Sequence, residues 1–256
     1  MWDDIAREDV FALVDRAIEE LLDDAGIAHP PVDAIVLAQR HLGMLVCLDR
    51  KQPQRGRAQR ASGRKQIIIR PEPTEERHQW TVAHEIGEHL KAPLLAKLGM
   101  NPEATRPMAG ESLANLFANR LLVPTCWLAD EARTNNYDLP ALKQRFRTAS
   151  HEVIAWRLLD LPEPCIITIV DNEHISRRRG NALRAGRAFA PVERRCQEYV
   201  HYYSRAHVEQ EKGWTVHGWP VHQADWKREI LRTTVEEDES YRPGQNQTTD
   251  DTDQHG

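Results

Sequence analysis

Six consecutive residues constrain this chain more than any others: His84-Glu85-Ile86-Gly87-Glu88-His89. Thr74, Glu75 and Glu76 upstream supply a capping side chain and then acids for the positive end of a helix dipole, so the six lie on a helix. Pro93 lacks a backbone donor and predicts the end of that helix near Lys91. Residues four apart on a helix share a face, offset by about 40°, so two ligands at that spacing can grip one ion. A glutamate next to the first ligand then sits where it can take a proton from an activated water. His84 fills the first ligand position and Glu85 the base position.

The second helical ligand is open to two assignments. Glu88 stands at the usual spacing, and carboxylate oxygen binds zinc. His89 is the better donor but is offset from His84 by about 140° on a regular helix. A single π-bulge would bring His89 back under His84, and Gly87 would lower the cost of that distortion. Glu85 and His89, themselves four apart, would alternatively make a structural pair. The third ligand is expected to be Glu111, at the start of a second amphipathic helix running to Leu122 and closed by Pro124. Ala114 and Ala118 are small enough to let that helix pack closely on the first. One Zn2+ with three protein ligands and an open position is the layout of a zinc peptidase.

The rest of the chain supports an α+β protein, mostly helical with a small sheet. Helical spacing of apolar residues runs over 4–25 and stops at Gly26, and Val32–Leu42 reads as a second helix ended by Gly43. Met44–Leu48 and Gln66–Arg70 read as strands, with a basic hairpin or loop at 50–65 between them. Short helices follow near Leu128–Thr134, from Asp138 to Phe146 and from His151 to Leu159. Cys165–Val170 and Ile175–Arg177 form a hairpin, Glu193–Tyr203 a helix and Trp214–Val221 strands. Three parts result: a domain over 1–180, a small α/β appendage over 181–235 and a disordered acidic tail over 236–256.

Charge is uneven. The net charge of −5 is concentrated in residues 236–256, which carry seven acids and one arginine, whereas Arg50–Arg70 holds eight basic residues and no acid. Arg177-Arg178-Arg179, with Arg184 and Arg187, is a second basic stretch. The four cysteines lie far apart, which excludes a zinc knuckle and reads as buried thiols. No apolar run approaches the roughly 18 residues of a membrane span. Without a secretory signal in its polar, acidic start, the chain is expected to be cytoplasmic. No helix-turn-helix signature stands out, so direct nucleic-acid binding is not expected.

Trp80-Thr81-Val82-Ala83-His84-Glu85-Ile86-Gly87 resembles the motif of the ImmA/IrrE family of metallo-endopeptidases. The stretch from Glu111 to Pro124 resembles it too, as do Thr148–Leu158 and Pro31–Val46, so the likeness covers about residues 5–180. The resemblance implies a zincin-like metallopeptidase fold, with zinc held by two histidines and a glutamate and a second glutamate as base. It implies cleavage of a protein, typically a helix-turn-helix repressor, in transcription regulation during stress or in mobile elements. Carried across, His84 is a ligand, Glu85 the base and Glu111 a ligand, while Glu88 stands at the second histidine's position with His89 beside it. The alternative is a catalytically impaired protein of the same fold that acts as a regulatory binding module, docking partners through its basic stretches.

Overall fold

The computed structural model describes residues 6–101, 107–223 and 225–236, with backbone alone for 107–111. The chain divides into two compact units, 1–163 and 164–256. The acidic tail expected over 236–256 lies, beyond its first residue, outside the described residues.

In the first unit, α1 (Arg7–Asp24) buries Val10, Val14, Ile18 and Leu22, one residue per turn, along a single stripe. A short α2 (Ala34–Val36) is capped by Asp33, whose carboxylate accepts from the Val36 N–H at 2.9 Å, and continues as a π turn over Leu37–His41. Strands β1 (Leu45–Leu48), β2 (Gly56–Ala61) and β3 (Arg64–Ile69) form a three-stranded sheet in the order β1-β3-β2. β1 runs parallel to β3 and β2 antiparallel to it, so β2 is an edge. The polar segment read as a hairpin or loop therefore carries a strand. No residue of β2 is fully buried, which is why it lacks an apolar signature.

Helix α3 (Glu75–Lys97) packs against β2, β3 and α4 (Pro107–Leu122). It runs through Pro93 rather than stopping near Lys91. Burial of Leu94 and Leu95 one residue beyond the proline offsets the lost backbone bond. Gly87 lies at the crossing of α3 and α4. A Cβ there would sit 3.1 Å from the Ala114 Cα and 3.2 Å from the Phe117 Cβ. The glycine thus serves close helix packing, not helix distortion. The remaining helices are α5 (Thr125–Thr134), α6 (Leu139–Arg145) and α7 (His151–Arg157), with α6 and α7 capped by Asp138 and Ser150. Arg120 of α4 is buried among Asp15, Asp160 and Thr125, and its guanidinium lies 4.1 Å over the Phe11 ring.

The second unit is a five-stranded antiparallel sheet with one helix. Its strands are β4 (Ile166–Asp171), β5 (His174–Gly180), β6 (His207–Glu211), β7 (Trp214–Pro220) and β8 (Arg228–Val235), in the order β5-β4-β8-β7-β6. Helix α8 (Pro191–Tyr203) packs Val192, Cys196 and Val200 against Val170, Val216 and Leu231. The sequence reading joins the 166–180 hairpin to the first domain. Its ladder joins it to the second unit instead, because β4 pairs along its whole length with β8, some sixty residues on. β6 and β8 are rich in charge and lack a run of alternating apolar residues, so of the last three strands only β7 has a signature in the sequence.

Arg178 is not part of a solvent-facing basic patch. Its Nη2 donates to both oxygens of Glu193, at 2.9 and 2.8 Å, and Glu193 is fully buried. Glu193 also accepts from the Thr233 hydroxyl and from the Ala190 N–H. No helix among the described residues is long and apolar enough to cross a membrane.

Two outcomes follow from these contacts. Arg178→Ala strands the Glu193 carboxylate and is expected to lower stability by about 3–5 kcal/mol, read from urea unfolding; a loss under about 1 kcal/mol would mean that Glu193 finds water or another donor. Burial, and then the nearby Lys143, hold the His151 imidazole below its ordinary pKa, with Glu76 opposing. The unfolded chain therefore takes up a proton at His151 before the folded one does. Stability should be full above about pH 6.5 and fall as pH drops below it. His151→Gln should flatten that fall below about pH 6.5, measured as the urea midpoint against pH.

Candidate functional site

A cleft of about 720 Å³ lies between the α3 face carrying Trp80, Thr81, His84, Glu85, Glu88 and Lys91 and the β2 lip from Gln54 to Ala58, with Asn115 of α4 at its edge. Positions 80, 84 and 88 recur every fourth residue, which lines them along the exposed groove of α3 while Val82, Ala83 and Ile86 turn into the core. His84, Glu85 and Glu88 share one wall of the cleft.

Two rungs fix this face against α4. The Trp80 indole N–H donates to Asn119 Oδ1 at 2.8 Å, and His84 Nδ1 lies 3.0 Å from Asn115 Oδ1. An amide oxygen only accepts, so Nδ1 carries the proton and the lone pair of His84 is on Nε2. Trp80 stacks on the imidazole with centroids 5.4 Å apart, which holds the ring plane. Such an outer bond is what orients a metal-binding histidine. Asn115 and Asn119 had a signal in the sequence, since they are four apart on one helix and match Trp80 and His84 four apart on the other.

Glu85 is 5% exposed, and its carboxylate rests on the backbone of Gly56. A Cβ at Gly56 would lie 2.4 Å from Glu85 Oε1 and 2.6 Å from Thr81 Cγ2. Only a residue without a side chain leaves the carboxylate where it is. Nothing in the polar segment around Gly56 singles it out, because the contact joins positions far apart in sequence.

Glu88 also faces the cleft, where its Oε2 is paired with Lys91 Nζ at 2.5 Å, one turn along the helix. His89 does not line the cleft. Helix α3 stays regular through this turn, and the one π turn near these elements is at Leu37–His41. His89 Nε2 lies 3.0 Å from the Gln66 carbonyl, to which it can only donate. Burial, then the Lys65 and Arg60 charges, hold its pKa below the ordinary value, although the Gln66 bond works the other way. The bulge that would bring His89 under His84 is thus absent, and the ring ties α3 to β3. Glu111 belongs to α4, one turn before Asn115, and its side chain lies outside the described residues.

For a metal ion the fit is partial. His84 presents an oriented Nε2 and Glu88 a carboxylate on the same wall, but Lys91 already holds that carboxylate. No three His, Cys, Asp or Glu among the described residues form a ligand set, so Glu111 would have to complete one. Three further histidines have local roles. His78 Nε2 accepts from the Glu72 N–H at 2.8 Å, and in the second unit His201 and His222 both meet Glu229 Oε1, at 2.8 and 2.9 Å.

Comparison with known proteins agrees with this arrangement. No curated protein matches the chain. Among solved structures, a Mycobacterium tuberculosis transcriptional regulator is similar over 89% of this chain and 80% of its own, with a TM-score of 0.61 and 18% identity. That likeness is one of fold. The family model of the IrrE N-terminal-like domain, Peptidase_M78, matches from the π turn after α2 through α7 and the turn after it, which takes in every residue of the cleft. Residues 39–159, a little under half of the chain, match the IrrE N-terminal-like domain of the ImmA/IrrE family.

Proposed function

We propose that this chain is a zinc-dependent endopeptidase that acts on an extended segment of another protein. The observation that carries the reading is the buried Glu85 carboxylate, held against Gly56 beside an oriented His84 in a cleft whose lip is an edge strand. An edge strand offers backbone donors and acceptors to a peptide, which can add as a further strand with its carbonyls over the α3 wall. His84 through Nε2, Glu88 and Glu111 would hold the ion, with His89 kept on β3. When bound, zinc supplies Lewis acidity toward a peptide carbonyl and a water. Glu85 takes a proton from that water on its carboxylate and delivers it to the leaving amine. The bare backbone of Gly56 leaves room for Glu85, and Trp80 and Asn115 keep His84 in its orientation and tautomer. The family and the regulator-like neighbour favour a helix-turn-helix repressor as substrate, in a cytoplasmic setting.

The Glu88–Lys91 pair supports a second reading, in which the cleft binds a protein partner without cutting it. The ammonium on Oε2 offsets the charge that Glu88 would offer a cation, so metal affinity is lowered. Elemental analysis of purified protein, beside cleavage of a proteome-derived peptide mixture read by mass spectrometry, separates the two. Zinc near one per chain with cleavage that Glu85→Gln abolishes supports the peptidase. Zinc-free protein that leaves the peptides intact supports the binding module.

Two variants sharpen the ligand assignment. Lys91→Ala should tighten zinc binding by about tenfold, the scale of one charged contact removed from a partly buried carboxylate. Glu88→Ala should release zinc while His89→Ala retains it, and the reverse result would assign the ligand to His89. Gly56→Ala should keep the far-ultraviolet spectrum and lower cleavage by about 100-fold, because an ångström of displacement at the base is enough for that loss. Unchanged cleavage would mean that Glu85 acts from another position.

A further inference from the structure

The β2 lip is strongly cationic where it faces the reacting groups. Gly56, on which Glu85 rests, is flanked in sequence by Arg55 and Arg57, and both line the cleft, as does Lys91 across from them. The Arg57 guanidinium meets the neutral Gln59 amide at 2.7 Å and is exposed. Arg55 is 64% exposed and reaches a carboxylate, Glu72, at 3.9 Å. Glu72 is shared with Arg70 at 3.1 Å and Arg77 at 3.7 Å, so one carboxylate serves three guanidinium groups. Arg60, Arg64 and Lys65 extend the same charge along the β2–β3 hairpin, which has no acid of its own. Among the described residues of the cleft wall the carboxylates are Glu85, buried, and Glu88, matched by Lys91.

From this, and resting on the peptidase-type cleft proposed above, we infer that the cleft selects acidic peptide segments, with carboxylate side chains on either side of the position facing Glu85 gripped by Arg55, Arg57 and Lys91. Side chains of a peptide added along β2 stand beside those of β2 at strand spacing, within reach of both arginines. Arginine forks suit carboxylates in a bidentate way. The charge is local, because the whole chain carries −5 and would repel an acidic peptide at long range. A carboxylate at the cleft also relieves the excess of guanidinium over carboxylate around Glu72. Through Lys91 the same peptide would compete for the ammonium that holds Glu88, so binding of substrate and release of Glu88 are favoured together.

The test uses the full chain as Glu85→Gln, which binds without turnover, and two fluorescein-labelled peptides of equal length on one Ala/Ser/Thr background. One carries four glutamates and the other four lysines at the same positions. Fluorescence anisotropy should show the acidic peptide bound at least about tenfold more tightly, the scale of two or three surface charge pairs. The preference should shrink at high salt and be lost in Arg55→Gln/Arg57→Gln, whose fold is checked by circular dichroism. Equal binding of the two peptides, no binding of either, or a preference that survives the double variant overturns the inference. So does tighter binding of a mixed-sequence single-stranded oligonucleotide than of the acidic peptide. An acidic preference in a wild-type chain that leaves the acidic peptide uncut would keep this inference and reject the peptidase reading.

Discussion

The first unit depends on the close crossing of α3 and α4. Gly87 lets the helices approach until its Cα faces Ala114 and Phe117, and a methyl group there would push on both at 3.1–3.3 Å. That proximity puts Asn115 and Asn119 within hydrogen-bonding reach of His84 and Trp80. A wider crossing would leave the indole and imidazole donors without these partners in a half-buried cleft, at about 1–3 kcal/mol each. The same contact therefore packs the core, fixes the tautomer of His84 and decides which face of α3 is left for the cleft. Edge strand β2 then completes the site from the other side, with Glu85 and Thr81 both lying against the bare backbone of Gly56.

The second unit has a comparable constraint, built from charge. Glu193 at the start of α8 is fully buried and takes bonds from Arg178 of β5, Thr233 of β8 and the Ala190 N–H. One carboxylate thus links the helix to both edges of the β5-β4-β8 run. Gly218 works beside it, since a Cβ there would press on Val200 and Cys196 at under 3 Å. The apolar core of this unit is small, and the ion pair specifies how the helix lies on the sheet.

Much of this was legible in the sequence where signals are local. Helix stripes such as Val10, Val14, Ile18 and Leu22, caps such as Asp138 and Ser150, and the apolar strands β1, β3 and β4 stand where period and capping chemistry put them. So do His84, Glu85 and Glu88 on one face. What was not legible depends on partners distant in the chain. β4 looks like half of a simple hairpin until β8 pairs with it. Gly87 reads equally as a flexible point or a contact point, and only Ala114 decides between them. Pro93 ends a helix by local rules, and the burial of Leu94 and Leu95 overrides them. His89 is a better ligand than Glu88 by element preference, but Gln66 of β3 takes it first.

The edge position of β2 has a mechanical consequence. β3 is the only strand of the small sheet with neighbours on both sides, whereas β2 is fastened along one side by a six-residue ladder and buries no residue fully. Peeling it costs one ribbon of hydrogen bonds and little apolar area, while α3 and α4 stay locked. The cleft therefore behaves as a rigid jaw opposed by a compliant one. A guest strand that pairs with β2 adds a second ladder to it, so filling the cleft stiffens the very wall that had to yield for entry.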